Sequence, residues 1–240
     1  MSEGRGAPLP VAAVALVALF VTALVTAQLT ASKILQFSIP VSLPVTGSAL
    51  VLPGAALAYA LTFFASDCYS ELYGRRAAQA MVNVGFVMNL VLLALVWSTI
   101  AAPASPTSPV DAAQFERVLA ASTNVVAGSL LAYLVSQNWD VVVFHRIREA
   151  TDGEMLWLRN VGSTATSQAI DTVIFVGVAF AVAPAVLGVG PQLPASALAS
   201  LVVGQYLLKL LIAIVDTPFV YLVVRAARSR GVAPRATPGD

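Results

Sequence analysis

The chain has 240 residues, of which 58% are hydrophobic and 10% charged, with a formal net charge of +1 and a mean hydropathy of +0.85. Ordinary globular chains carry about 25% charged residues, so 13 Lys and Arg with 12 Asp and Glu are too few to wet a soluble body of this size. The composition is that of a polytopic membrane protein. It excludes a basic field for nucleic acid, and the lone Cys68 and lone His145 exclude an intrachain disulfide, a multi-cysteine metal site and a His-rich one.

A helix rises about 1.5 Å per residue, so roughly 20 apolar residues cross the hydrocarbon core. Six such runs follow one another, at 11–31, 48–65, 77–101, 118–144, 164–183 and 195–224. The first lies behind Arg5 in the manner of a signal peptide, but it is longer than an h-region and reads as a spanning helix. Pro40 and Pro44 follow it; Pro103, Pro106 and Pro109 follow the third run; Pro184, Gly188, Gly190, Pro191 and Pro194 follow the fifth. Gln137, Asn138 and Asp140 interrupt the fourth. The predicted fold is therefore all-α, one integral membrane domain of six transmembrane helices.

Orientation follows from the cations. Arg75 and Arg76 come after the second run, Arg146, Arg148 and Arg159 between the fourth and fifth, and Arg225, Arg228, Arg230 and Arg235 after the sixth. The alternate loops at 103–114 and 184–194 hold no Lys or Arg. Both termini are thus expected in the cytoplasm, with Lys33 the one exception on the outer side.

A charge at membrane depth costs at least about 2.5–3.5 kcal/mol on insertion scales and usually faces a pathway or ligand. At 100° per residue, Thr22, Thr26, Thr30 and Lys33 share a face of the first helix. Asp67, Ser70, Glu71 and Gly74 share one on the second, Thr164, Gln168 and Asp171 on the fifth, and Gln205, Lys209 and Asp216 on the sixth. Four polar stripes are the anatomy of a bundle around a polar cavity. Counted in from the cytoplasmic ends, Asp67, Asp171 and Asp216 fall roughly 10–13 Å deep at 1.5 Å per residue, with Lys209 seven residues further out. Structural roles stand beside these: the threonines can bond back to their own helix, Glu71 can pair with Arg75 at i+4, Asp216 can serve groups loosened by Pro218, and Lys209 can pair with Asp216 or another carboxylate. Cys68 reads as a packing residue, and Trp97, Trp139 and Trp157 as interface anchors.

Residues 64–76 (FASDCYSELYGRR) resemble the D-x-x-x-E-x-Y-G signature of the queuosine precursor transporter family, also grouped as vitamin uptake transporters. Residues 156–164 (LWLRNVGST), continuing through Ser167, Gln168 and 171–175 (DTVIF), resemble its second hallmark. Ser136, Gln137, Asp140 and Phe144, then Lys209, Thr217, Pro218 and Tyr221, fit its remaining blocks. The resemblance runs from Thr26 to Val224, and the blocks on the second and fifth runs are the specific ones; Gly162 stands where the family more often has a polar or bulky residue. It implies an inner-membrane importer of 7-cyano-7-deazaguanine and 7-aminomethyl-7-deazaguanine, precursors of the tRNA nucleosides queuosine or archaeosine, with the lipid bilayer as surroundings, no cofactor and no nucleic acid partner.

For such a ligand, N1–H and the 2-amino group suit a carboxylate, Asp171 or Asp67. Gln168 can donate to the carbonyl at position 6, and Lys209 can do the same or neutralise the carboxylates. Phe63, Tyr69, Tyr73 and Trp157 are candidate ring faces, Arg159 a candidate inner gate, and 160–164 a helix start with amides toward the ligand. The expected substrate-binding set is Asp67, Glu71, Gln137, Asp140, Arg159, Thr164, Gln168, Asp171, Lys209 and Asp216. The competing function is a substrate-binding subunit of an energy-coupling-factor-type vitamin or nucleobase transporter. The chain has no G-x-x-x-x-G-K-[ST] motif and would need a separate ATPase for that; a homodimer is equally open. The absence of a G-x-S-x-G elbow argues against a hydrolase.

Overall fold

In a computed structural model, residues 10–43, 45–152, 155–190 and 192–229 are described, apart from the side chains of 156–160. Arg5, Pro44, Pro191, Arg230 and Arg235 lie outside the described residues, as do the side chains of Trp157 and Arg159. In chain order the elements are α1 (Val11–Thr30), β1 (Ile34–Leu43), β2 (Gly47–Pro53), α2 (Ala56–Tyr73), α3 (Arg75–Ala101), α4 (Ala112–Leu119), α5 (Ser122–Ala150), α6 (Leu156–Gly177), a π-helical turn (Val178–Val182), α7 (Ala183–Leu187) and α8 (Ala195–Ser229).

The fold is mostly helical, and among the described residues five helical stretches are long and apolar enough to cross a membrane: Val11–Thr30, Arg75–Ala101, Ala112–Ala150, Val161–Leu187 and Ala195–Ser229. α2 is 18 residues long and carries Asp67 and Glu71; it packs against α1, α3 and α8. Many large apolar side chains point outward, with Leu57, Val186, Ile214 and Tyr221 at least 70% exposed, as suits a surface solvated by lipid rather than water.

The all-helical expectation misses an antiparallel hairpin, β1–β2, in register from Ile34 opposite Pro53 to Ser38 opposite Ala49. The apolar run at 48–65 is split by Pro53-Gly54. Ahead of that break, residues 47–53 pair as a strand; behind it the helix starts at Ala56, because Pro53 cannot donate into a helical ladder. Other boundaries shift outward. α5 runs on through His145, Arg146 and Arg148 to Ala150, and α6 starts at Leu156 rather than 164, since arginine is a good helix former and nothing in these turns breaks the ladder. Asp111 caps α4 by accepting from the amides of Ala113 and Gln114 at 3.0 and 3.1 Å.

Pro184 explains the π-helical turn. Its ring displaces the carbonyl four residues back, and its missing N–H leaves that carbonyl unpaired. The loop beyond α7 folds back to satisfy it: the Leu193 amide donates to the Phe180 carbonyl at 2.9 Å, and Gln192 Nε2 donates to Ala181 O at 3.2 Å. Asn124 holds the same loop by donating to Val189 O at 2.6 Å. Around this turn the core is small-residue packing, with Ala27, Ala31, Ala55, Ala132 and Ala179 buried together with Phe175, Phe180 and Leu201, the close helix approach that membrane interiors favour.

Candidate functional site

Two helices bring the central charges together. Asp171 on α6 and Lys209 on α8 form an ion pair, Nζ to Oδ2 at 2.5 Å, with Lys209 buried. The other carboxylate oxygen accepts from Ser136 Oγ of α5 at 3.3 Å. Among the described residues this is the single salt bridge. A pair at such depth needs its full hydrogen-bond complement to offset desolvation, and Ser136 supplies part of it.

The pair sits on the wall of a compact cavity enclosed by α1, α2, α3, α5, α6 and α8, with a volume of about 90 Å³. Three amides line it beside the pair: Gln28, Asn89 and Gln205. Asn89 is 0% exposed and Gln28 is 2% exposed. Gln28 Oε1, Gln205 Oε1 and both polar atoms of Asn89 have no hydrogen-bond partner among the described residues. Aromatic rings complete the wall: Tyr59, Phe175, and Phe86 with Tyr133, whose centroids lie 4.3 Å apart. Tyr133 is held from outside by Gln79 Nε2, which donates to its hydroxyl at 2.8 Å. A wall of amides, rings and one neutralised ion pair is suited to a flat, hydrogen-bonding molecule with an uncharged ring.

A second, more open cavity lies between α2, α6 and α8 and is lined by Asp67, Thr164, Gln168 and Asp216. Lys209 borders both cavities. Gln168 Oε1 and Asp216 Oδ2 have no partner among the described residues. The structure thus divides the expected set. Asp171 and Lys209 meet in the first cavity; Asp67, Thr164, Gln168 and Asp216 gather in the second. Asp140 accepts from Ser167 Oγ at 3.3 Å on the α5–α6 seam. Glu71 and Gln137 are exposed and line neither cavity; the Glu71 backbone carbonyl accepts from Arg228 at 2.8 Å. Arg159 is on the first turn of α6, its side chain outside the described residues.

The expected common level of three carboxylates does not hold for Asp171. It pairs with Lys209, which the helix count puts seven residues away from that level. The reason is the early start of α6 at Leu156, which sets Asp171 about 22 Å from that helix end at 1.5 Å per residue. The threonine stripe of α1 also faces outward. Thr22, Thr26 and Thr30 are exposed, and Thr26 and Thr30 donate to the carbonyls four residues back at 2.8 Å. The cavity receives Gln28 from the opposite face.

Gln28, Asn89, Tyr59, Phe86 and Tyr133 escape a search for ionisable groups. The signal that finds Gln28 and Asn89 is the same argument applied to amides: each is a primary amide within an apolar run, where an unmet hydrogen bond is costly. Of the ring faces read from the sequence, Phe63 lines the second cavity, while Tyr69 and Tyr73 stack on each other at 4.7 Å beside the packing cluster of Cys68 and Leu72.

The family model described as "Putative vitamin uptake transporter" matches residues 53–223. A relative from Bacillus subtilis (strain 168), called "Probable queuosine precursor transporter", is 35% identical over 164 residues, which are 68% of this chain and 67% of that one. No solved structure matches the chain significantly.

Proposed function

The chain belongs to the vitamin uptake transporter family, a multi-pass protein of the cell membrane, and on that premise we propose that it imports queuosine precursors of the 7-deazaguanine class, 7-cyano-7-deazaguanine and 7-aminomethyl-7-deazaguanine. The observation that carries this reading is the first cavity, where three amides with unmet polar atoms stand between aromatic rings beside a neutralised ion pair. A deazaguanine is flat, polar along one edge and apolar on its faces, which is the complement of that wall. The name of the Bacillus subtilis relative supports the same substrate class. Membership in a transporter family supports transport in place of catalysis.

In this reading six helices span the bilayer, α2 being the sixth spanning helix despite its two carboxylates, and both termini are cytoplasmic. The substrate enters the first cavity from the end bearing the hairpin, then passes Lys209 to reach the second cavity and the arginine-bearing end. Asp67, Thr164, Gln168 and Asp216 would contact it on the way, with Arg159 at the exit. Asp140 would act through its bond to Ser167, and Glu71 and Gln137 would lie at the periphery.

The test is functional rescue. The chain is expressed in cells unable to make 7-deazaguanines, each precursor is supplied at low external concentration, and the modified nucleoside is quantified in tRNA. Modification restored by the wild type and lost in Asp171→Asn at equal membrane abundance supports the reading. No rescue by a correctly inserted protein counts against it.

A further inference from the structure

We propose that Asn89 is the residue that reads the polar edge of the ligand, flanked by Gln28, and that the first cavity therefore selects a flat heterocycle whose ring is uncharged and carries one hydrogen-bond donor beside one acceptor. This rests on the transporter reading above and deepens it by assigning the recognition chemistry.

Asn89 is fully buried at the middle of α3, and neither Oδ1 nor Nδ2 has a partner among the described residues. Buried amides in native structures are almost always paired, because the lost hydration must be replaced. An amide with both atoms unmet, lining a cavity, is a recognition element awaiting its complement. A primary amide offers one acceptor next to one donor. Its two-bond complement is a ring edge with N–H next to C=O, a lactam edge, and a deazaguanine carries one at N1–H and the carbonyl at position 6.

The carboxylate expected to read the ligand is already engaged. Asp171 Oδ2 is held by Lys209 and Oδ1 by Ser136, so a ligand taking that carboxylate would strand a buried ammonium. Among the side chains lining the first cavity, Asp171 and Lys209 carry the only formal charges, and they neutralise each other. Nothing on that wall is left to balance a charged ring.

The packing of α1 on α3 places the two amides. A Cβ on Gly85 would sit 2.6 Å from Phe20 Cε1 and 2.9 Å from Leu24 Cδ2, so those two side chains would have to shift to admit one. One turn further along each helix, Asn89 follows Gly85 and Gln28 follows Leu24, on the same faces. Both enter the cavity, and Phe86 with Tyr133 supplies an aromatic pair for the ring.

The experiment is calorimetric titration of the purified full chain in lipid nanodiscs with 7-cyano-7-deazaguanine and with its N1-methyl analogue, which lacks the edge N–H. The wild type is expected to bind the parent about 10-fold or more tightly than the analogue, a factor appropriate to lost hydrogen bonds at a buried site. Asn89→Leu is expected to lose about 10-fold or more for the parent, and to show little further loss with the analogue, the non-additivity that marks a direct contact. Leucine fills the same space without polar atoms, so the fold should persist. Should it not, the wild-type comparison still decides: equal binding of parent and analogue overturns the assignment. Unchanged parent affinity in a folded Asn89→Leu protein overturns it too, while leaving the transporter reading in place. A folded wild type that binds no 7-deazaguanine removes both.

Discussion

Lys209 and Asp171 are buried together, and their contribution is conditional on both being present. Removing either partner strands the other charge, which costs about 3–5 kcal/mol for a buried pair. Lys209→Met and Asp171→Asn should therefore each lower the thermal unfolding midpoint in detergent markedly, whereas the double variant should recover most of the loss. Calorimetry on the three proteins checks this, and a double variant as unstable as the sum of the singles would contradict it. That Lys209 would pair with some carboxylate was legible from its stripe on α8; the choice of Asp171 was not, because it depends on where α6 begins. Gln28 shows the converse. Its neighbours Thr26 and Thr30 look more like a cavity lining on a helical wheel, yet a threonine in lipid satisfies itself against its own helix, and a glutamine side chain has no comparable return bond here.

Close helix and strand approaches depend on two glycines. At Gly204 of α8 an added Cβ would collide with the backbone carbonyl of Val51 in β2, so that glycine lets the hairpin lie directly on α8, one residue from Gln205. Gly204→Ala cannot be absorbed by a side-chain shift and should destabilise by about 1–3 kcal/mol, the usual range for overpacking. Gly85→Ala meets only the ends of the Phe20 and Leu24 side chains, which can shift, so it should cost less than Gly204→Ala. Gly177→Ala is the control: a Cβ there meets nothing within 4 Å, and the gain in helix propensity should leave stability equal or slightly higher. Thermal midpoints of the three variants decide. Pro184→Ala should let the π-helical turn revert to α-helix, releasing the Leu193 amide from the Phe180 carbonyl; faster hydrogen exchange at Leu193 would report it. The proline was visible in the sequence as a break, but a π-helical turn closed by a returning loop is a tertiary solution that periodicity does not encode. The hairpin was hidden for a related reason. An apolar run ahead of Pro53-Gly54 has the same composition as the start of a spanning helix, and only pairing with 34–43 distinguishes them.

The bundle as assembled separates two ends. The hairpin, the 103–111 loop and residues 188–190 share one, while Gly74, Thr151 and the end of α8 share the other with Arg75, Arg76, Arg148 and Arg228. With Cys68 buried, a Ser105→Cys variant should be labelled by an impermeant thiol reagent from outside intact cells, and a Ser229→Cys variant only after the membrane is opened; the reverse pattern would contradict the cytoplasmic placement of the termini. Membrane character and a mostly helical fold were legible because hydropathy integrates over whole spans, whereas cavity membership turns on which face of each helix points inward. The most direct test of function uses the purified chain alone in liposomes. Labelled 7-cyano-7-deazaguanine should enter faster than into protein-free vesicles, with entry competed by unlabelled ligand. Tight binding without any protein-dependent entry would contradict autonomous transport and make the chain a binding subunit for a separate energising module.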